Sequence, residues 1–251
     1  MASLKDKVIA VTGAAGGIGS ATAVVLASRG ANLSLADMDI EALDRIAEEL
    51  RTNYNRDVLT TQLDVSQSEQ VNAWIDTTVK HFSKLSGGVN LAGILGKEFG
   101  LTAAHEVTDG DFDSVMAINV KGVMACQRAQ LRHIEDGGSI VNTASVSGKM
   151  GMPKMLAYSA SKHAVIGMTR VAAAENGYRN VRVNVIAPGS IDTKMLDVAR
   201  QVNLSASDKA SSSINRAGKA EEVGALIAFL LSDDAQFITG AVYTIDGGLT
   251  S

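Results

Sequence analysis

The sequence has a single cysteine, Cys126, so no disulfide can form within the chain. One thiol in an apolar, helix-like run reads as a buried structural group, and its solitude fits a reducing compartment. The four histidines, His81, His105, His133 and His163, are scattered, without the spacing that brings two imidazoles onto one metal ion. No metal is expected. Strong charge of either sign is also missing: 23 Lys and Arg stand against 27 Asp and Glu, a formal net charge of −4. That balance gives no footprint for nucleic acid or for an anionic membrane. No apolar run reaches the length of a membrane span. A strand-like run near Lys7 followed at once by a glycine motif leaves no room for a secretory leader, so a cytoplasmic protein is expected. The Asn203-Leu204-Ser205 sequon then reads as chance.

What is present is enough apolar material for a sizeable core: 46% of 251 residues are hydrophobic and 20% charged. Strand-like runs fall at 8–12, 32–36, 58–63, 88–91, 139–143, 181–186 and 242–245. Amphipathic stretches fall between them at 18–29, 40–53, 68–82, 111–133, 157–175 and 220–231. Such alternation predicts βαβ units and an α/β, Rossmann-type, doubly wound parallel sheet with helices on both faces, as a single domain over 1–251. The one compositional break is the serine-rich stretch 197–213. It reads either as a surface loop or as a mobile substrate lid at about 194–216.

Thr12-Gly13-Ala14-Ala15-Gly16-Gly17-Ile18-Gly19 follows the first strand and opens the first helix. Glycines let the backbone turn tightly and approach a pyrophosphate, and a helix N-terminus offers N–H donors and a positive dipole end. The spacing differs from G-x-G-x-x-G, so position between strand and helix carries the argument. The second strand ends in Leu35-Ala36-Asp37-Met38. An acid there accepts hydrogen bonds from ribose hydroxyls and repels a 2′-phosphate, and Met38 offers no cation to hold one. The pair selects NAD(H) over NADP(H). Asp39, further into the loop, is a substitute for Asp37, and Asp64 after the third strand faces either the adenine or the next helix as a cap.

Tyr158-Ser159-Ala160-Ser161-Lys162 lies in a helical stretch, which puts Tyr158 and Lys162 one turn apart on one face. A nearby ammonium favours the phenolate, and such a phenol exchanges a proton with an alcohol or ketone oxygen. Ser145 follows the strand 139–143, at the carboxyl end where ligands of open sheets bind. Ser147 is its rival. Asn119, within Met116-Ala117-Ile118-Asn119-Val120, is a polar amide in an apolar run and needs partners, either structural ones or a proton relay.

Taken together these residues resemble the short-chain dehydrogenase/reductase family over nearly the whole chain. Thr12-Gly13-x-x-x-Gly17-Ile18-Gly19 is similar to its cofactor motif, Asp37 to its NAD-selecting acid and Asp64-Val65 to its adenine contact. Asn90-Leu91-Ala92-Gly93 matches Asn-Asn-Ala-Gly except at Leu91, where a local packing change is expected. Asn119, Ser145, Tyr158 and Lys162 match the catalytic tetrad, and Pro188-Gly189-Ser190-Ile191-Asp192-Thr193 the segment that holds the nicotinamide carboxamide and pyrophosphate. Asp246-Gly247-Gly248 resembles the C-terminal signature. The resemblance implies strand order 3-2-1-4-5-6-7, Tyr158 as acid/base and Lys162 on the nicotinamide ribose, lowering the Tyr158 pKa. It implies Ser145 on the substrate oxygen and Asn119 on a water. It also implies a homotetramer, with a homodimer as the other assembly, built through helices 111–133 and 157–175 and the last strand.

Leu95, Met150, Met152, Met155 and Met195 lie in segments that border the pocket of such folds, and methionine adapts to varied apolar ligands. The expected reaction is hydride transfer between NAD(H) and a bulky, apolar secondary alcohol or ketone. The alternative is a nicotinamide-binding scaffold used for sensing or non-redox chemistry.

Overall fold

A computed structural model of the chain describes residues 3–202 and 212–251. Seven strands, β1 (Val8–Thr12), β2 (Asn32–Asp37), β3 (Val58–Gln62), β4 (Gly87–Asn90), β5 (Ser139–Thr143), β6 (Arg182–Pro188) and β7 (Val242–Ile245), form one sheet. All pairings are parallel, in the order β3-β2-β1-β4-β5-β6-β7, as the resemblance implied. β1, β4, β5 and β6 are buried along their whole lengths; β1 reads as a nearly unbroken apolar run, whereas β5 and β6 carry the buried polar residues Asn142 and Asn184 among their Val and Ile. Helices cover both faces, so neither face of those strands alternates with solvent.

The helices are α1 (Gly17–Ser28), α2 (Ile40–Tyr54), α3 (Ser68–Phe82), α4 (Asp109–Met116), α5 (Val123–His133), α6 (Leu156–Asn176), α7 (Lys194–Val202) and α8 (Ala220–Leu231). One core packs α1, α2 and α8 against the sheet around Leu26, Leu33, Leu43 and Ile227. The other packs α3 and α5 around Trp74, Ile75 and Ile140. Trp74 donates its indole N–H to the buried Ser34 hydroxyl at 2.9 Å, so a large ring enters the core without leaving its polar atom unpaired.

Two elements differ from the sequence reading. The stretch 111–133 is not one helix: a π-helical turn at Ala117–Gly122 separates α4 from α5. The wider i→i+5 turn is a common device at functional sites, and here it holds Asn119. The stretch beginning at 197 does not start as a loop, because α7 occupies Lys194–Val202. Residues 203–211 of the expected lid, and the sequon within them, lie outside the described residues. No described helix is long and apolar enough to cross a membrane.

Candidate active site

The carboxyl ends of the strands open onto a cavity of about 920 Å³. Its cofactor-sized half begins at the turn after β1. Gly13 holds a φ of +68°, and a Cβ there would stand 2.7 Å from the Ala92 backbone nitrogen. Only glycine lets this turn press against the end of β4. Gly16 precedes α1 without offering a side-chain cap, and no acid sits in the first turn. The first amides of α1 therefore keep their donors for a ligand. α2 and α4 are finished differently, by Asp39 accepting from the Ala42 amide at 3.0 Å and by Thr108 accepting from the Asp111 amide at 3.3 Å. The Thr193 side chain closes over the glycine turn, since a Cβ at Gly17 would lie 2.6 Å from its methyl.

Asp37 ends β2 at the rim of this half. One carboxylate oxygen accepts from the Ala15 amide at 3.0 Å and the other from the Asp39 amide at 3.2 Å, which ties the acid to the glycine turn. Asp39 itself caps α2 and, unlike Asp37, does not line the cavity. Met38 is 64% exposed and lines the cavity beside Asp37. Asp64 also lines the cavity, accepting from the Ser66 amide at 2.9 Å, while Gln67 precedes α3, so Asp64 shapes the turn before the helix. Among the described residues, the only cations lining the cavity are Lys162 on α6 and Lys194 at the start of α7.

Tyr158, Lys162 and Ser145 meet in the inner half. One helical turn separates the first two on α6, and the Lys162 Nζ lies 5.6 Å from the phenol ring centre. Nζ donates to the Thr143 carbonyl at 3.0 Å, at the carboxyl end of β5. Burial pushes the Lys162 amine down to about 8. Burial also pushes the Tyr158 phenol up, and its hydrogen bond with Ser145 pulls the other way. Burial disfavours the charged form of each of these two neighbours. Ser147 lines the same wall, but its hydroxyl donates to the Met152 sulfur at 3.1 Å. Ser145 is the serine that faces the phenol.

Asn119 is fully buried, and its amide is satisfied. Its oxygen accepts from the Ile94 amide at 2.8 Å, and its nitrogen donates to the Ile94 carbonyl at 2.9 Å and the Ser161 hydroxyl at 3.1 Å. It clamps the segment after β4 to α6 rather than facing the cavity. Asn90 also stays off the wall. Its amide nitrogen donates to Gln130 at 3.0 Å and Asn142 at 2.8 Å, so an expected cofactor contact is a framework residue. The departure at Leu91 puts a leucine on the cavity wall in its place. Gly13, Gly17, Ile18, Gly19, Val65, Ala92, Gly93, Pro188, Gly189, Ile191 and Thr193 all line the cavity, as do Leu95, Met152, Met155 and Met195. Met150 does not. Phe99, Leu196, Ala199 and Leu249 line it without having been singled out from the sequence. Leu196 and Ala199 carry the i, i+3 apolar spacing of a helix face, a signal that was available.

The residues fit a nicotinamide dinucleotide: uncapped backbone donors for phosphates, an acid for the ribose and a buried Tyr-Lys pair at the far end. Thr143 also lines the cavity, and its buried hydroxyl has no hydrogen-bond partner among the described residues.

The family model described as enoyl-(acyl carrier protein) reductase matches residues 13–250. The short-chain dehydrogenase/reductase ABA4 of Pyricularia oryzae (strain 70-15 / ATCC MYA-4617 / FGSC 8958) is 42% identical over 97% of this chain and 92% of its own length. The 2,5-dichloro-2,5-cyclohexadiene-1,4-diol dehydrogenase of Sphingobium indicum is 40% identical over 100% of both chains. The cyclohexanol dehydrogenase of an Acinetobacter species is 34% identical over 98% of this chain and 96% of its own. Among solved structures, levodione reductase superposes with a TM-score of 0.91 at 38% identity over 97% of both chains. A short-chain dehydrogenase from Burkholderia cenocepacia in complex with NADP superposes with a TM-score of 0.89 at 31% identity over 99% of both.

Proposed function

The chain belongs to the short-chain dehydrogenase/reductase family of oxidoreductases, and on that premise we propose that it interconverts a secondary alcohol and a ketone with NAD(H), on a substrate carrying a six-membered ring. The observation that carries the redox reading is the meeting of Tyr158, Ser145 and Lys162 at the buried end of a cavity whose other end is the glycine turn. Asp37 supports NAD(H): its carboxylate stands at the rim, and among the described residues no cation lines the cavity beside it to hold a 2′-phosphate. The ring is supported by the names of the cyclohexanol and cyclohexadienediol dehydrogenases and by apolar walls at Leu95, Phe99, Met152, Met155 and Met195.

In the oxidation direction the carbinol C–H bond breaks as a hydride and the O–H bond as a proton. The dinucleotide, when bound, supplies the hydride acceptor or donor. Tyr158 takes or gives the proton at its phenolic oxygen, and Ser145 orients the substrate oxygen. A phenol raised by burial keeps its proton at neutral pH and is set to donate to a ketone. Losing it for alcohol oxidation is favoured by the Lys162 ammonium one turn away. Asn119 positions α6 against the segment after β4 and so fixes where the pair stands. α7 borders the substrate through Met195, Leu196 and Ala199, as the described part of the expected lid. The chain assembles as a homotetramer, supported by exposed Val171 and Tyr178 along and after α6 and by exposed Phe237 before β7.

The test compares wild type with Tyr158→Phe on cyclohexanol and cyclohexanone, alongside calorimetric titration with NADH. Turnover is expected to collapse while NADH affinity persists. Turnover that survives removes Tyr158 as acid/base, and a wild type that binds neither NADH nor NADPH removes the redox reading.

A further inference from the structure

We propose that Phe99 is the specificity-determining residue of the inner cavity, a fixed wall that favours ring-borne over open-chain alcohols, with Asp111 and Glu98 as the positioning residues that hold it there. This rests on the functional reading above.

Phe99 meets Tyr158 edge to face, with ring centres 5.4 Å apart and planes at 86°. Such a contact restricts how the phenol ring can turn. Phe99 also faces the cavity, so the same ring borders the reacting oxygen and the substrate. Phe99 also borders a second, small cavity of about 10 Å³, a single water's room, which it shares with Val107, Asp111 and Leu156.

Its backbone is equally constrained. The Asp111 carboxylate accepts from the Lys97 amide at 2.7 Å and more loosely from the Glu98 amide at 3.4 Å. The Glu98 carboxylate accepts from the Thr108 amide at 3.0 Å and the Thr108 hydroxyl at 2.8 Å. Thr108 in turn caps the helix that carries Asp111, which closes the loop of contacts. On the far side, the Gly100 amide donates to the Lys154 carbonyl at 2.8 Å. Lys154 sits at a φ of +61°, a conformation a lysine adopts only when its surroundings impose it. The cavity thus has one rigid aromatic wall, while Met152, Met155 and Met195 supply adaptable surface. A rigid wall beside the acid/base discriminates by shape, and the adaptable surface does not.

The experiment measures kcat/KM for cyclohexanol and for 2-hexanol, which has the same carbon count without the ring, in wild type and in Phe99→Ala, Phe99→Leu, Phe99→Tyr and Asp111→Ala. The cyclohexanol preference is expected to fall by about tenfold in Phe99→Ala, the scale on which a missing apolar wall discriminates. Phe99→Leu, which keeps apolar bulk, falls part of the way, and Phe99→Tyr restores the preference. Asp111→Ala moves the ratio in the same direction as Phe99→Ala, with the NADH dissociation constant unchanged in every variant. An active Phe99→Ala enzyme whose two substrates suffer equally, or whose ratio stays put, overturns this inference alone. A wild type inactive on both alcohols with NAD⁺ and with NADP⁺ overturns the functional reading and this inference with it.

Discussion

The side-chain amides of Asn90 and Gln130 are joined by reciprocal hydrogen bonds of 3.0 Å each way, fully buried between β4 and α5. Asn142 extends the pair, accepting from Asn90 and donating to Gln127 at 2.7 Å and Thr169 at 2.9 Å. Every amide in this chain of contacts has its partner, a condition under which buried polar groups add rigidity instead of destabilising the core.

Asn90→Ala removes one member and strands a donor and an acceptor on Gln130. A loss of about 2 kcal/mol in unfolding free energy is expected from unsatisfied buried groups. Urea denaturation checks the loss, and calorimetry checks the accompanying claim that NADH affinity stays at the wild-type value. A weakened NADH affinity with unchanged stability would return Asn90 to the cofactor site.

The buried Lys162 makes stability depend on pH in a stated direction. Its amine is held at about 8 against an ordinary value of 10.5, because burial disfavours its charge. Between those values the unfolded chain binds a proton that the folded chain has released, so stability rises with pH across that window. Below it both states carry the charge, and the penalty is present in full. Tyr158, raised by burial above its ordinary 10.0, opposes this only as the pH passes that value. Relative to Lys162→Met, wild type is expected to gain on the order of 3 kcal/mol across the window. Parallel curves of unfolding free energy against pH would show that the amine titrates as it does in water.

Asp37→Asn keeps an acceptor for the Ala15 amide and removes the charge that faces a 2′-phosphate. The ratio of NADPH to NADH dissociation constants is expected to fall by about tenfold, equivalent to about 1.4 kcal/mol. Separate calorimetric titrations measure it. An unchanged ratio would mean that another group sets cofactor choice.

Ser145 and Ser147 are separated by their partners, so their alanine variants should part company. Ser145→Ala loses the hydroxyl beside the phenol and is expected to lower kcat by about a hundredfold. Ser147→Ala loses a contact to the Met152 sulfur and should shift KM more than kcat. Steady-state kinetics on cyclohexanol decide, and the reverse pattern would exchange their roles.

The strands and the glycine turn were legible because each leaves a local mark, β-branched runs and glycines at a strand-to-helix junction, whereas the strand order came with the family resemblance. Tyr158 and Lys162 were legible through helical spacing. Asn90 was not, because its role depends on β4, β5 and α5 meeting, and a side chain's direction across a sheet leaves no trace in its neighbours. Asn119 was recognised as needing partners, yet the π-helical turn that aims it at Ile94 and Ser161 has no sequence signature of its own. α7 was hidden by the serines that follow it, although Met195, Leu196 and Ala199 carry helical spacing. Phe99 lies in no periodic pattern, and only the packing brings it onto Tyr158.

Thr193 lies over Gly17, so the first turn of the chain is covered by a residue that follows β6. During synthesis the glycine turn, β4 and the Tyr-Lys helix emerge well before their cover does. A nascent chain that stops at residue 188 carries the acid/base pair and the phosphate cradle but no roof, and it leaves the edge of β6 that β7 pairs with open. The roof of the glycine turn therefore arrives only with the last quarter of the polypeptide.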